Sequence, residues 1–272
     1  MKIGLFTSGY QRNEIEDIFK DAKRFGYDYI ELWGGRPHGY AYDLKKGEIT
    51  HILKLIDKYA IPIKVFTPEH NSYPYNYMIG SEAQRQESID YLKTAMDIGK
   101  AIGADFTVIS AGHAGYNVTR NHIWNRFTRS IRELSDYAET INHMLVLEAL
   151  TPYESNVCTS ANDLHEIVEY IDSPWLGAMC DVVPPFVQGE SIMGYFNKLG
   201  DRMKHLHIID SNGSNDTHLI PGDGNIPLKE LLEEIKDYGY NGTATIELVT
   251  SYMNEPSLYA KRAIERLKKL ME

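Results

Sequence analysis

The sequence predicts a (β/α)8 TIM barrel, closed by eight parallel strands with helices outside, as a single domain over residues 1–272. Three observations carry this. Eight short β-rich runs recur along the chain, segments of helical period lie between them, and each run is nearly continuous in apolar character. That last property is expected of parallel strands covered on both faces. A length of 272 residues suits one such barrel. A doubly wound open sheet is the alternative. It would normally carry a Gly-rich phosphate turn after the first strand, where this chain reads "TSGYQRNE" with one glycine.

In chain order, "IGLFT" from Ile3 is the first strand. "NEIEDIFKDAKRFG" follows as a helix, with Ile15, Ile18, Phe19 and Ala22 on one face and Gly26 as its stop. "YIELW" from Tyr29 is the second strand, and "EITHILKLIDKYA" repeats the helical pattern through Ile49, Ile52, Leu53 and Ile56. "IPIKVF" from Ile61 is the third strand; "NSYPYNYM" (71–78) then reads as an aromatic lid loop, whose tyrosines suit covering a sugar or simply covering the barrel, and residues 81–103 as an amphipathic helix. "FTVISA" from Phe106 precedes a helix over 121–141. "MLVLEAL" from Met144, "LGAMCDV" from Leu176 and "KHLHIID" from Lys204 are strands five to seven. "PLKELLEEIKDYGY" opens a helix at Pro227 and ends at Gly239. "TATIELV" from Thr243 is the eighth strand, and "EPSLYAKRAIERLKKL" closes the chain.

Net charge is −10, and no basic run exceeds two residues, which argues against nucleic acid as a partner. The two cysteines, Cys158 and Cys180, make no disulfide framework and read as reduced, buried thiols of a cytoplasmic protein. The start "MKIGLFTSGY" does not read as a signal peptide. No apolar run approaches the roughly 20 residues that span a membrane. Barrels of this size commonly pair, so a homo-oligomer is compatible with the sequence.

Barrel active sites lie at the C-terminal ends of the strands. The polar residues there are Glu31 and Trp33 on strand two, Glu69 and His70 after strand three, His113 after strand four, then Glu148, Asp181, His207 and Glu247. The last four come from four consecutive strands and interrupt otherwise apolar runs. A carboxylate in such a run is costly to bury unless paired or metal-bound. For any one of them, a separately satisfied buried group is the simpler reading; for all four at matching strand ends it is not. Three carboxylates facing one another need a cation. Carboxylate oxygens with one imidazole suit Mn²⁺, Mg²⁺, Co²⁺ or Zn²⁺. His205 and His207 are two apart and face the same side of their strand; His207 is nearer the C-terminal end, so His205 is assigned a supporting place in the barrel.

With these residues in view, the chain resembles the xylose-isomerase-like barrel superfamily, which includes ketose 3-epimerases and metal-dependent abasic-site nucleases of the endonuclease IV type. The resemblance covers essentially the whole chain. It is most specific in "ELWGGRPH" (31–38), "SAGHAGY" (110–116), "LTPYESNV" (150–157), "HLHIIDSNGSNDTHLIPGDG" (205–224) and "ELVTSYMNEPSLYA" (247–260), which look like members acting on fructosamines, the Amadori products. The resemblance implies a divalent metal held by Glu148, Asp181, His207 and Glu247. It implies that Glu148 and Glu247 are also the acid and base of a C3 epimerisation through an enediolate, interconverting fructoselysine and psicoselysine. An epimerase or isomerase for a free sugar is the alternative within this chemistry.

Glu154 matches the family carboxylate that contacts the O1 end of the substrate. The family's histidine three residues after the metal aspartate is replaced here by Pro184. That departure leaves room near C1, where fructoselysine carries an amine, and Glu154 is expected to face that cation. The nuclease reading draws on Asp216 and His218, which match a family Asp-x-His metal pair, and on His70 and His113, which lie where two more nuclease ligands would be. Pro184 breaks that metal cluster. His113 and His218 are therefore read as substrate-contact or supporting groups, and His70 as a loop residue. Trp33 is a candidate to stack on the sugar, with plain packing as the equal alternative. Asp210 is read as a holder of loop amides, and "PGDG" (221–224), with Asp223, as a tight turn that positions His218.

Overall fold

Parallel pairing runs unbroken around the sheet in the computed structural model, which describes residues 1–272. The strands are β1 (Lys2–Phe6), β2 (Tyr29–Trp33), β3 (Ile63–Thr67), β4 (Phe106–Ser110), β5 (Met144–Glu148), β6 (Leu176–Asp181), β7 (Met203–His207) and β8 (Thr243–Ile246). Each pairs with its neighbours in sequence, and β1 closes on β8 through Lys2 with Thr243 and Leu5 with Ile246. All eight strands expected from the sequence are present.

The helices are α1 (Ile15–Phe25), the short α2 (Ala41–Asp43), α3 (Ile49–Tyr59), α4 (Glu82–Ala101), α5 (Arg120–Ile141), α6 (Ala161–Ile171), α7 (Val183–Gln188), α8 (Ile192–Leu199), α9 (Leu228–Asp237) and α10 (Pro256–Leu270). Their ends have local causes. Gly26 takes a left-handed φ of 77° and returns its N–H to the Ala22 carbonyl, which ends α1. Ser81 with Gln84, and Ser160 with Asp163, form capping boxes that start α4 and α6. The sequence pattern did not single out α6, α7 or α8. In α7 the pair Pro184–Pro185 looks like a loop, yet proline is tolerated in a first helical turn because the N–H there has no partner to lose.

Two apolar regions result. One lies between barrel and helices; the other, inside the barrel, is a small cluster of Tyr29, Val65, Phe106, Val108, Val146 and Met179. Side chains alternate along a strand, so residues two apart share a face. Following the inner face upward therefore gives Tyr29 then Glu31, Val65 then Thr67, Val146 then Glu148, Met179 then Asp181, and His205 then His207. The barrel is apolar at its floor and ionisable at its mouth. Gly4 belongs to the floor: a Cβ there would fall 2.2 Å from the Tyr29 ring, so the tyrosine fills the place of a missing side chain.

The lid expectation for residues 71–78 is corrected in part. Tyr73 is 90% exposed, but Tyr75 and Tyr77 are 7% and 1% exposed, and Tyr75 stacks on Tyr91 at 4.0 Å. Only the first of these tyrosines is free to cover the mouth. Cys158 and Cys180 are buried free thiols. No helix is long and apolar enough to cross a membrane.

Candidate active site and metal centre

A cavity of about 930 Å³ opens at the C-terminal ends of the strands. It is lined by Glu148, Asp181, His207 and Glu247, and also by Trp33, His113, Glu154 and His218. His207 stands at the centre. Its Nδ1 lies 3.4 Å from Glu148 Oε1 and 3.0 Å from Glu247 Oε2. Glu148, Asp181 and His207 present ligand atoms close enough to share one ion, as do Asp181, His218 and Glu247. His218 reaches in from the loop after β7, its Nε2 3.1 Å from Asp181 Oδ2 and 3.4 Å from Glu247 Oε2. Asp181 is fixed by the start of α7, where its Oδ1 accepts from the Val183 N–H at 2.8 Å.

The deeper layer gives a role to Glu31, which the sequence places at the end of strand two without assigning it to the metal set. Glu31, fully buried on β2, accepts from His207 Nε2 at 3.0 Å, from His205 Nε2 at 3.0 Å and from the Thr67 hydroxyl at 2.6 Å. His205 is thus a support, as expected: its Nδ1 lies 2.8 Å from the Thr243 hydroxyl. The signal for Glu31 was present, since "YIELW" sets a carboxylate in an apolar strand as the four selected residues do. It lies one layer below the ligand position, two residues before the end of β2.

The carboxylates of this site draw positive charge toward them, and His207 and His218 both answer with raised pKa values. Burial opposes ionisation of Glu31, but the His207 and His205 rings outweigh it and hold its carboxyl well below the usual range. Burial pushes Glu148 up to about 7; the His207 contact opposes this, while Asp181 and Glu247 add to it. Glu247 meets the same burial, but His207 and His218 hold it well below its ordinary value. Burial likewise disfavours a charged His207 ring, yet Glu31 and Glu247 together drive its pKa well above normal. The carboxylates thus favour positive charge at His207, either as a second ring proton or as a cation bound beside Nδ1. That nitrogen is buried and has no hydrogen-bond partner, because neither carboxylate is aligned to receive a proton from it. When a bound cation takes the place of the second ring proton, Nε2–H still donates to Glu31 and Nδ1 offers its lone pair on the side of the two carboxylates. One imidazole nitrogen and three carboxylates are the donor set of a divalent-metal site, and the residues present fit one.

The cavity walls are also specific. Trp33 donates from Nε1 to Glu69 Oε2 at 2.9 Å, and its ring lies over Gly35, where a Cβ would fall 2.1 Å from the indole. The "WGG" run is thus a flat aromatic wall backed by glycine. His113 accepts from the Gly115 N–H through Nδ1 at 2.9 Å and packs on the exposed Tyr116. Glu154 lies on the outer wall, its Oε2 accepting from the Thr151 hydroxyl at 2.8 Å. Crowding by the wall and then the Asp216 carboxylate push its carboxyl above the ordinary range. The side chain keeps an exposed flank at the mouth, so water screens part of that effect. Pro184 lies on the same cavity wall.

His70 is a loop residue, and a buried one. Nδ1 meets the Pro68 carbonyl at 2.5 Å, and Nε2 accepts from the Ser110 N–H at 2.9 Å. Both ring nitrogens are committed to backbone, which leaves none for a nuclease-type ion. Asp210 holds the β7 loop: its carboxylate accepts from the N–H groups of Ser211, Gly222, Gly224 and Ile226 at 2.9–3.0 Å.

The xylose isomerase-like TIM barrel family matches residues 19–270 of this chain. Fructoselysine 3-epimerase of Escherichia coli O157:H7 is 53% identical over 271 residues, covering 100% of this chain and 98% of that protein. The Shigella flexneri protein of the same name gives the same figures, 53% over 271 residues. Among solved structures, D-psicose 3-epimerase from Clostridium cellulolyticum H10, determined with D-tagatose, superposes with a TM-score of 0.81 at 19% identity and 100% coverage of both chains, which is a likeness of fold. The chain belongs to the xylose isomerase-like TIM-barrel family.

Proposed function

We propose that the protein interconverts fructoselysine and psicoselysine by inverting C3, with a divalent metal held by Glu148, Asp181, His207 and Glu247. The coarser statement is that it is an enzyme, a carbohydrate epimerase acting on a small molecule; it rests on full-length identity of 53% to fructoselysine 3-epimerases. One observation carries the finer reading: two carboxylates, Glu148 and Glu247, meet a single imidazole nitrogen from different strands at the base of a sugar-sized cavity. When bound, the metal supplies Lewis-acid polarisation of the ketone and offsets charge on the enediolate oxygen.

The chain's own groups do the rest. One carboxylate removes the C3 proton, and the electron pair of that C–H bond moves into the C2–C3 bond while the carbonyl oxygen gains charge. The other carboxyl returns a proton to the opposite face of C3. Asp181 and His207 do not need to move for this. Trp33 provides an apolar wall for one sugar face. His113 and His218 line the same space as polar contacts for hydroxyl groups.

The test is exchange. Fructoselysine incubated with enzyme in D₂O gains deuterium at C3, followed by NMR, as psicoselysine accumulates. Absence of exchange with fructoselysine and with every free ketose would overturn the reading.

Specificity is assigned to the outer wall. Pro184 removes a polar side chain beside C1, and Glu154 faces the position of the protonated amine. A charge-assisted hydrogen bond contributes about 1.5–3 kcal/mol. Glu154→Gln is therefore expected to lower kcat/KM for fructoselysine by about tenfold, with little change for a free ketose. Equal loss on both substrates would remove Glu154 from amine recognition.

A further inference from the structure

We propose that Glu31 is a positioning residue that sets which nitrogen of His207 faces the metal centre, with His205 as the anchor of its second oxygen. The proposal rests on the metal reading above. Its basis is the hydrogen-bond geometry beneath the site. A neutral imidazole carries one proton, and the partner of one nitrogen decides where it sits. A carboxylate can only accept, so the His207 nitrogen 3.0 Å from Glu31 must carry the proton, and Nδ1 is left with the lone pair. Nδ1 is the atom that points at Glu148 and Glu247.

Glu31 itself cannot turn. Its Oε1 receives His207 and the Thr67 hydroxyl, and its Oε2 receives His205. His205 is pinned in turn by the Thr243 hydroxyl at 2.8 Å and packs against Phe106 at 5.4 Å between ring centroids. Thr245 lies 3.3 Å from His205 Nε2 and is held by the Tyr29 hydroxyl at 2.9 Å. The chain of contacts runs from the barrel floor to the candidate metal ligand with no water-accessible break, since Glu31 and His205 are wholly buried and His207 is 2% exposed.

The geometry gives an unusual expectation for Glu31→Gln. The amide oxygen can take the Oε1 place and still accept from His207. Its NH₂ then faces His205, which must offer a lone pair at Nε2 and move its proton to Nδ1. The Thr243 carbonyl, 3.1 Å from His205 Nδ1, is placed to accept it. So the glutamine variant switches the tautomer of His205 and preserves that of His207. An apolar Glu31→Leu frees the His207 ring and preserves neither contact.

The experiment uses Zn²⁺-loaded protein with ¹⁵N-labelled histidine, together with Zn²⁺ affinity by competition against a chromophoric chelator. In wild type, His207 is expected as Nε2–H with Nδ1 on zinc, and His205 as Nε2–H. Glu31→Gln leaves the His207 signature in place and moves the His205 proton to Nδ1. Glu31→Leu weakens Zn²⁺ by about 10–100-fold, the usual effect of losing such a partner. Wild-type His207 bound through Nε2, an unchanged His205 tautomer in the glutamine variant, or Zn²⁺ affinity in Glu31→Leu within about threefold of wild type, well short of that loss, each overturns the role given to Glu31. Failure of wild type to bind Zn²⁺ overturns the metal reading, and this proposal with it. The NMR results on wild type and Glu31→Gln stand even if the leucine variant does not fold.

Discussion

Glu247→Gln is expected to abolish C3 exchange, with turnover down by about 10³-fold or more, within the range assigned to a positioned acid or base. The glutamine is isosteric and keeps an oxygen for the metal, so the variant removes proton transfer more than it removes the site. Its effect should appear in kcat, with substrate binding less affected. Glu148→Gln gives the complementary loss, because inversion needs one group on each face of C3. Deuterium incorporation followed by NMR separates the steps. If either variant exchanges at the wild-type rate, the two-carboxylate scheme is wrong, whatever the affinity for substrate.

His207→Leu should cost both activity and stability. Activity fails because the one imidazole among four candidate ligands is gone. Stability falls because Glu31, fully buried, loses one of its three donors. Removing one partner of a buried charge costs about 3–5 kcal/mol, and His205 and Thr67 remain, so about 3 kcal/mol is the expected loss. For a chain of this size each kcal/mol corresponds to roughly 2–4 °C in Tm. Adding Glu31→Leu to His207→Leu should recover part of that loss without recovering turnover, since a buried charge that has lost one of its partners is worse than an apolar pair. Thermal unfolding of the metal-free proteins checks this. A wild-type Tm for His207→Leu would show that Glu31 is not relying on it.

The barrel was legible because its strands are short apolar runs and its main helices have strong 3.6-residue periodicity. Glu148, Asp181, His207 and Glu247 were legible for a related reason: each is an ionisable residue placed where an apolar one is expected, at the end of the barrel that faces the cavity. Glu31 obeyed the same pattern and was named with them, but its place beneath the ligands was not legible. Depth along a strand decides whether a carboxylate reaches a ligand position or a layer below it, and strand pairing sets that depth; here His205 pairs with Met179 and His207 with Asp181. Which of the loop tyrosines cover the mouth and which pack on the barrel was not legible, because an aromatic in a loop carries no sign of which way it turns. Tyr75 found a stacking partner in Tyr91, 16 residues along the chain and on α4, which no local pattern announces. Helix α7 was hidden by its two prolines and α8 by Gly194, residues that normally interrupt a helix.

The Asp210 carboxylate has a mechanical consequence. It gathers four loop amides at a point three residues past His207, and its backbone also exchanges hydrogen bonds with Leu219, next to His218. Strand β7 and the loop that carries His218 therefore behave as one lever with its pivot at Asp210. Gly224 has no room for a side chain against that carboxylate, 2.4 Å from where a Cβ would lie, so the pivot tolerates no padding. His207 and His218 are thereby tied through one hydrogen-bonded stretch of backbone, which sets the spacing of the two histidines that bracket Glu247.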